Sequence, residues 1–465
     1  MRFIKKLKKY SAIDKIFDLL QSREEAVFLD SSLHGKLGKY SIIACRPYLK
    51  LVQHEEEFKV NDILVDGEIL EYMRKYLNDN REDNATNLPI ISGAIGYFSY
   101  DFGIKKAGIS SQHKVKLDIP DCVFCFYDIF LIEDHQENVL YLIANGNSEE
   151  AFKCIEKLQK LLEEHNFVEN TKNAYQYSKY VKIESDFTKT DYMQAVNNMI
   201  NYVVDGDIYV VNMTQQLRVE SECQPYSMFC RLRKQNPSPF GAYLDYGSFQ
   251  IVCASPERFL KVKNGKVMTR PIKGTRKRGK TIAEDESLKK ELAGSEKDRS
   301  ELLMIVDLER NDFNRVCTPG TVKVTELFEI ETYSTLFHLV SSVEGQLKSN
   351  KTIIDLLEAA FPGGSITGAP KLRAMELIDQ QERNCRNLYT GSIGYISLNG
   401  DCDFNIVIRT AVHKDGVYNI GVGGGITYES NSSFEFEETW HKAKALLKAL
   451  EVDFVKGKDY EYRIR

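Results

Sequence analysis

The sequence predicts an α/β (α+β) fold rich in antiparallel hairpins, on three observations. First, short runs of β-branched and aromatic residues are separated by turn dipeptides such as Asn264-Gly265 and Asn399-Gly400. Second, amphipathic helical stripes with N-cap signals stand between these runs. In Thr188-x-x-Asp191, for example, the cap precedes Tyr192, Ala195, Val196 and Met199 on one face. Third, 465 residues suffice for a large core, divided into two or three average domains or held as one intertwined unit.

A formal net charge of -5 argues against a general nucleic-acid binder. Arg276-Lys277-Arg278 is a local basic cluster, suited to a loop or a small-anion site. The basic start, Met1 to Lys9, leads into no signal-type apolar core, and no run is long enough to cross a bilayer. A soluble, cytoplasmic protein is expected. The ten cysteines are scattered. The close pair Cys122 and Cys125 lies in a strand pattern, where positions three apart face opposite ways, so reduced structural thiols are expected rather than a metal site.

Taken in order, residues 1–165 form a first α/β region. Ile13, Ile16, Phe17 and Leu20 space a helix over Ser11 to Leu20, and Ala26 to Leu29 and Tyr40 to Ala44 read as strands. Val123 to Ile132 and Val139 to Ala144 flank a polar turn and form a hairpin, before an amphipathic helix from Glu149 to Glu164. Polar, aperiodic sequence marks 166–187 as a linker, and 188–455 forms the second region. There the Thr188 helix ends near Gly206 and feeds a strand, Asp207 to Gln215. A later apolar strand is stopped by Pro256, which sets Glu257 at its mouth. Ser295-x-x-Asp298 opens a helix through Leu302 to Leu308, whose near-continuous apolarity predicts burial. Tyr389 to Tyr395 and Phe404 to Val412 read as paired strands. Ser432-x-x-Glu435 caps a last helix with Phe436, Trp440, Ala443, Leu447 and Leu450 as its stripe.

Several polar residues stand in apolar settings that demand a partner. Lys273, in Pro271-Ile-Lys-Gly-Thr275, can be partly desolvated, and desolvation with neighbouring cations favours the free, nucleophilic amine. Arg409, in an apolar strand, needs an anion. Glu301 needs an ion-pair partner or a metal, while Glu435 and Glu438 are first-turn acids favoured by the helix dipole. His338 alone reads as a satisfied core histidine. Phe361 to Lys371 is glycine-rich without being a P-loop, and its amides near a helix start favour an anion.

These stretches stand together and in the order found in the chorismate-utilising enzymes, which the chain resembles throughout and most strongly from Thr188 to about Leu450. The resemblance rests on Pro271-Ile-Lys-Gly-Thr275, Ser255-Pro-Glu257, Gly363-Gly-Ser-Ile-Thr-Gly-Ala-Pro-Lys371, the stretch Gly206 to Gln215, and Gly93-Ala-Ile-Gly-Tyr-Phe-Ser-Tyr-Asp101. Lys273 and the Ser-Ile-Thr wording point to the aminodeoxychorismate synthase component I branch. The nearest alternative, anthranilate synthase component I, usually has alanine at the lysine.

The resemblance implies an anthranilate synthase component I-like fold, two antiparallel sheets packed together with helices outside. It implies Lys273 as covalent nucleophile, Glu257 as general acid, and His338 in an orienting or proton-handling role. Thr275, Thr367, Tyr389, Arg409, Gly423, Gly424 and Gly425 would bind chorismate, with Tyr389 and Arg409 on the enolpyruvyl carboxylate. Glu301, Glu435 and Glu438 would hold magnesium, an all-oxygen set suited to that ion. The implied reaction converts chorismate and ammonia to 4-amino-4-deoxychorismate, toward p-aminobenzoate and folate. No glutaminase motif stands in the chain, so a separate glutamine amidotransferase subunit would supply ammonia in a heterodimer. Val210 stands where relatives usually carry glutamine and where hydrolytic relatives carry a water-activating lysine, which argues against hydrolysis. Asp30, Ser31, Tyr40 and Ser41 match the place where relatives bind tryptophan, an acidic and hydroxyl set able to hold an amino acid's ammonium.

Overall fold

The structure, a computed structural model, describes residues 1–451 apart from 36, 114–115, 166–181 and 334–335, and the backbone of the strand pair Phe454–Val455 and Arg463–Ile464. Within it 22 strands join one hydrogen-bonded network, antiparallel at every pairing that frames the cleft described below. Val27–Asp30 pairs with Phe240–Asp245, and Gly93–Phe98 with Ser392–Ser397. The two packed layers that the resemblance implies are therefore continuous through hydrogen bonds, and both halves of the chain contribute to each seam.

The layers meet on Ile42, Tyr97 and Phe130 from the first half and Ala242, Ile251 and Val412 from the second, all buried. Helices cover the outer faces. Ile13–Leu20, Pro225–Gln235 and Ser432–Ala449 set Phe17, Phe229 and Leu447 against one face. Glu296–Val316 and Ile353–Ala360 set Leu302, Val306 and Leu357 against the other, on Leu260 and Leu339. The Cys122–Asp134 strand is covered on both sides, which is why it reads as unbroken apolar sequence. Phe124 and Phe126 enter one cluster, and Val123 and Tyr127 another. Cys122 and Cys125 fall on opposite faces, and all ten cysteines are free thiols.

Four sequence expectations change. Of the stretch read as a linker, residues 166–181 lie outside the described residues, while Lys182–Ser185 is a strand on the edge of Val210–Glu220. The Glu296–Val316 helix is amphipathic rather than wholly buried: Leu303 is 44% exposed, whereas Glu301, Glu309 and Asp312 face inward. The last helix is capped by Asn431, whose side chain accepts the Phe434 N–H, not by Ser432. Arg276 and Lys277 belong to the Ile272–Lys277 strand rather than a loop. Arg276 pairs with Glu291 and Asp298, and Arg278 with Asp285, so both arginines of the basic cluster are matched within the protein, while Lys277 is exposed. Among the described residues no helix is long and apolar enough to cross a membrane.

Candidate active site

The Ile272–Lys277 and Val417–Ile426 strands and the first turns of the Glu296–Val316 and Ser432–Ala449 helices enclose a cleft of about 850 Å³. That size suits a small molecule. All the catalytic, substrate and metal residues singled out from the sequence line it except Thr367.

A β-bulge sets the nucleophile candidate. Lys273 lies opposite Leu339 and Thr275 opposite His338, with the register broken between them at Gly274, whose φ is 72°. A side chain at Gly274 would put its Cβ 2.8 Å from the Asp298 carboxyl carbon. Glycine therefore permits both the left-handed backbone and the close helix, and the bulge aims Lys273 into the cleft. Lys273 Nζ donates to the Ser365 carbonyl at 3.2 Å. Burial raises the pKa of Glu257, against the Ser365 side chain, the Lys273 charge and the Ile272 N–H, which favour the carboxylate. One proton moved from Lys273 to Glu257 would make a free amine and a carboxylic acid together. The charges facing Lys273 are the carboxylates of Glu257, Glu301 and Glu438, and the same carboxylates also face Lys297 and Lys442.

His338 Nδ1 stands 2.8 Å from Thr275 Oγ1. Burial, and then Arg409, hold its pKa down at about 4, so the ring is neutral near pH 7 and suited to orienting a ligand. Arg409 does not lie within a strand. It sits with φ 50° between Cys402–Asn405 and Thr410–Lys414, where Ile406 N–H donates to the Glu257 carbonyl. Among the described residues no hydrogen bond or ion pair reaches its guanidinium. Burial lowers its pKa, yet a guanidinium keeps its charge. Among the described residues it is a cation in the cleft without an ion-pair partner. Tyr389 packs so closely on Gly421 that a Cβ there would lie 2.0 Å from the ring.

Three carboxylates gather beyond the glycine-rich strand. A Cβ on Gly425 would lie 3.4 Å from Glu301 Oε2 and 3.5 Å from Lys273 Nζ, and one on Gly424 would lie 3.2 Å from Glu435 Oε2. Burial raises the pKa of Glu301 and Glu435, and the Glu438 charge adds to both. Glu438 is lowered overall: burial pushes it up, but Lys442, 2.7 Å away, outweighs this together with Lys297 and Lys273. As they stand, no three acidic, histidine or cysteine side chains among the described residues are close enough to hold a metal ion. The chemistry of the set still fits a hard dication: all donors are carboxylate oxygens in an open cleft, and a dication would offset the burial and the Glu438 charge that raise two of them.

Thr367 is fully buried and its hydroxyl donates to the Gly363 carbonyl at 2.9 Å, so it braces the loop rather than facing the cleft. Asp30, Ser31 and Tyr40 line a separate cavity of about 250 Å³ at the seam between layers, with Ser41 behind them. Asp30 is not free to take an ammonium group: Arg233 Nε and Nη2 each donate to it at 3.0 Å, and the Ser41 hydroxyl at 3.2 Å. Val210 packs with Ile305, Ala369 and Met304, an apolar contact in place of a polar group. Sequence reasoning missed Ser365, which serves both Lys273 and Glu257, although it lies in the quoted Gly363 to Lys371 motif. It also missed Lys297 and Lys442, although each stands four residues from a singled-out carboxylate on one helix, Lys297 from Glu301 and Lys442 from Glu438. Arg386 was missed as well: fully buried and paired with Glu382, it donates to the carbonyls of Asn212 and Ile366 and so fixes two walls of the cleft.

Fold and cleft together define an enzyme for a small anionic substrate, with a lysine, a buried carboxyl and an unpaired arginine facing one space. The chain belongs to the chorismate binding enzyme family, whose sequence pattern matches residues 25–448. It is 37% identical over 463 residues to anthranilate synthase component 1 of Acetivibrio thermocellus, covering 95% of this chain and 94% of that one. It is likewise 37% identical over 457 residues to aminodeoxychorismate synthase component 1 of Bacillus subtilis, covering 96% and 95%. The crystal structure of anthranilate synthase component I from Streptococcus pneumoniae superposes with a TM-score of 0.80 at 29% identity, covering 89% of this chain and 93% of that one.

Proposed function

We propose that this chain is the chorismate-converting component of an aminodeoxychorismate synthase, working with a separate glutamine amidotransferase subunit that supplies ammonia. The observation that carries the reading is the shared seat of Lys273 and Glu257 on Ser365, which holds a nucleophile and an acid against one substrate space. Arg409 and Tyr389 hold one carboxylate of chorismate, and the neutral His338, fixed by Thr275, orients the ring. Glu301, Glu435 and Glu438 would hold magnesium, which would anchor the ring carboxylate and withdraw electron density when bound.

The Lys273 amine attacks C2 of the ring, the double bonds shift, and the C4–O bond breaks as Glu257 protonates the departing hydroxyl to water. Ammonia then adds at C4, the double bonds shift back and the C2–N bond breaks, releasing Lys273 and 4-amino-4-deoxychorismate. Splitting one substitution into two is the gain from a covalent nucleophile. Equal identity to the Acetivibrio protein favours a second reading, anthranilate formation with loss of pyruvate. Mass spectrometry of products from chorismate, magnesium and ammonium chloride separates the two. Aminodeoxychorismate is expected, anthranilate with pyruvate supports the second reading, and unchanged chorismate contradicts both.

A further inference from the structure

Glu309 is a buried carboxyl that the proposed reaction leaves unused. It lies on the inner face of the Glu296–Val316 helix, two turns beyond Glu301 and one turn before Asp312. It is 6% exposed, and it forms no ion pair among the described residues. The Thr269 hydroxyl faces it, itself buried and without a partner at hydrogen-bond distance. A buried polar group left unpaired costs about 1–3 kcal/mol, and methionine would fill the same volume without that cost.

Its position is what gives it a use. On one side its charged neighbour is Glu257, which lines the reaction cleft. On the other side are Asp312 and Lys371, joined at 2.6 Å, which line a surface groove of about 700 Å³. Three carboxyls thus run from the groove to the general acid. The charge balance of the proposed reaction calls for such a route. Neutral ammonia enters and an ammonium group leaves on the product, so each turnover leaves the Lys273–Glu257 pair one proton short, and that proton must come from solvent.

We propose that Glu309 is a proton-relay residue that acts through Glu257 and is recharged from the groove by Asp312 and Lys371. The O–H bond of Glu309 breaks as one forms on Glu257. The Glu309 carboxylate then takes a proton from the Asp312–Lys371 pair, which is restored from water. Burial, with Asp312 and Glu257 adding to it, raises the pKa of Glu309 to about 8 against Thr269 and Lys371, so the carboxyl holds its proton near neutrality. The proposal rests on the reading of Glu257 as general acid.

Glu309→Gln, assayed with chorismate, magnesium and ammonium chloride, tests it beside Glu257→Gln. The amide keeps the shape but cannot relay. We expect kcat to fall roughly tenfold, a small part of the 10²–10⁴ that acid–base assistance supplies. KM for chorismate should stay within about twofold, the D2O isotope effect should rise, and added formic acid/formate buffer should restore part of the rate. A kcat, pH profile and isotope effect equal to wild type would overturn the relay. So would a lower kcat with no change in isotope effect and no rescue, the mark of a structural role. If Glu257→Gln itself retains the wild-type rate, the general-acid reading fails and the relay with it; an inactive Glu257→Gln beside a wild-type Glu309→Gln sinks the relay alone. Should Glu309→Gln not fold, Glu309→Met gives the same reading without a buried amide.

Discussion

The reaction cleft and the smaller seam cavity hold similar kinds of residue and treat them oppositely. In the seam cavity the charges are already matched. Arg233 clamps Asp30, Arg258 donates to Asp403 at 2.8 and 2.9 Å, and Lys263 stands 2.9 Å from Asp401. In the cleft no ion pair reaches Arg409 among the described residues, and burial, with the Glu438 charge adding to it, raises the pKa of Glu301 and Glu435. A paired charge has its desolvation offset by its partner within the fold, whereas an unpaired one in a cleft is open to a partner that a ligand supplies. That contrast separates the two cavities better than their shapes do.

The strongest way to break the contrast is Arg409→Ala. If the guanidinium pairs with substrate, kcat/KM should fall by the equivalent of about 2–5 kcal/mol, mostly in KM. Steady-state kinetics on chorismate unchanged from wild type would make Arg409 structural.

His338 sharpens the picture through stability. Its folded pKa of about 4 lies below the ordinary 6.5, so on acidification the unfolded chain takes up the proton first. Stability from the neutral ring is therefore full above about pH 6.5 and is lost as pH falls toward 4, about 2–3 kcal/mol in all. Burial holds His135 at about 4 as well, so chemical unfolding from pH 7 to 4 should show the sum of the two slopes, and His338→Gln should remove its own share. An equal slope in both proteins would place the neutral histidine elsewhere.

A smaller effect is expected at the carboxylates. Glu301→Gln and Glu438→Gln keep their size but remove a charged ligand, so each should fold, lose at least tenfold in turnover, about 1.4 kcal/mol, and need more magnesium. Full activity of the wild-type protein in a chelator would remove magnesium from the account. The smallest effect belongs to the seam cavity. Tyr40 donates to the Asn87 carbonyl at 3.3 Å on the exposed side, so Tyr40→Phe should cost under about 1 kcal/mol in stability and leave turnover unchanged. A large loss of turnover would tie the two cavities together.

How much of this the sequence carried depends on the range of the interactions. Hairpins at Asn264-Gly265 and Asn399-Gly400 and the Thr188 cap are local, and they stand where the residues place them. The position of Glu257 was legible because Pro256 stops a strand. The break at Arg409 was not, because the local run is uniformly apolar and the backbone bonds made there, Ile406 to Glu257 and Ala254 to Arg409, join stretches remote in sequence. For the same reason the bulge at Gly274, the pairing of Arg276 with Asp298 and the use of Asp30 by Arg233 were out of reach. Each depends on a partner brought in by packing.

The central claim is that Lys273 is a nucleophile rather than a polar wall. Intact-mass measurement after incubating the protein with chorismate and magnesium, without ammonia, and quenching in acid tests it most directly. The account predicts a covalent adduct equal to chorismate less water, mapped to Lys273, lost when ammonium is added and absent from Lys273→Ala. No trapped adduct, together with wild-type rate and product from Lys273→Ala, would contradict it.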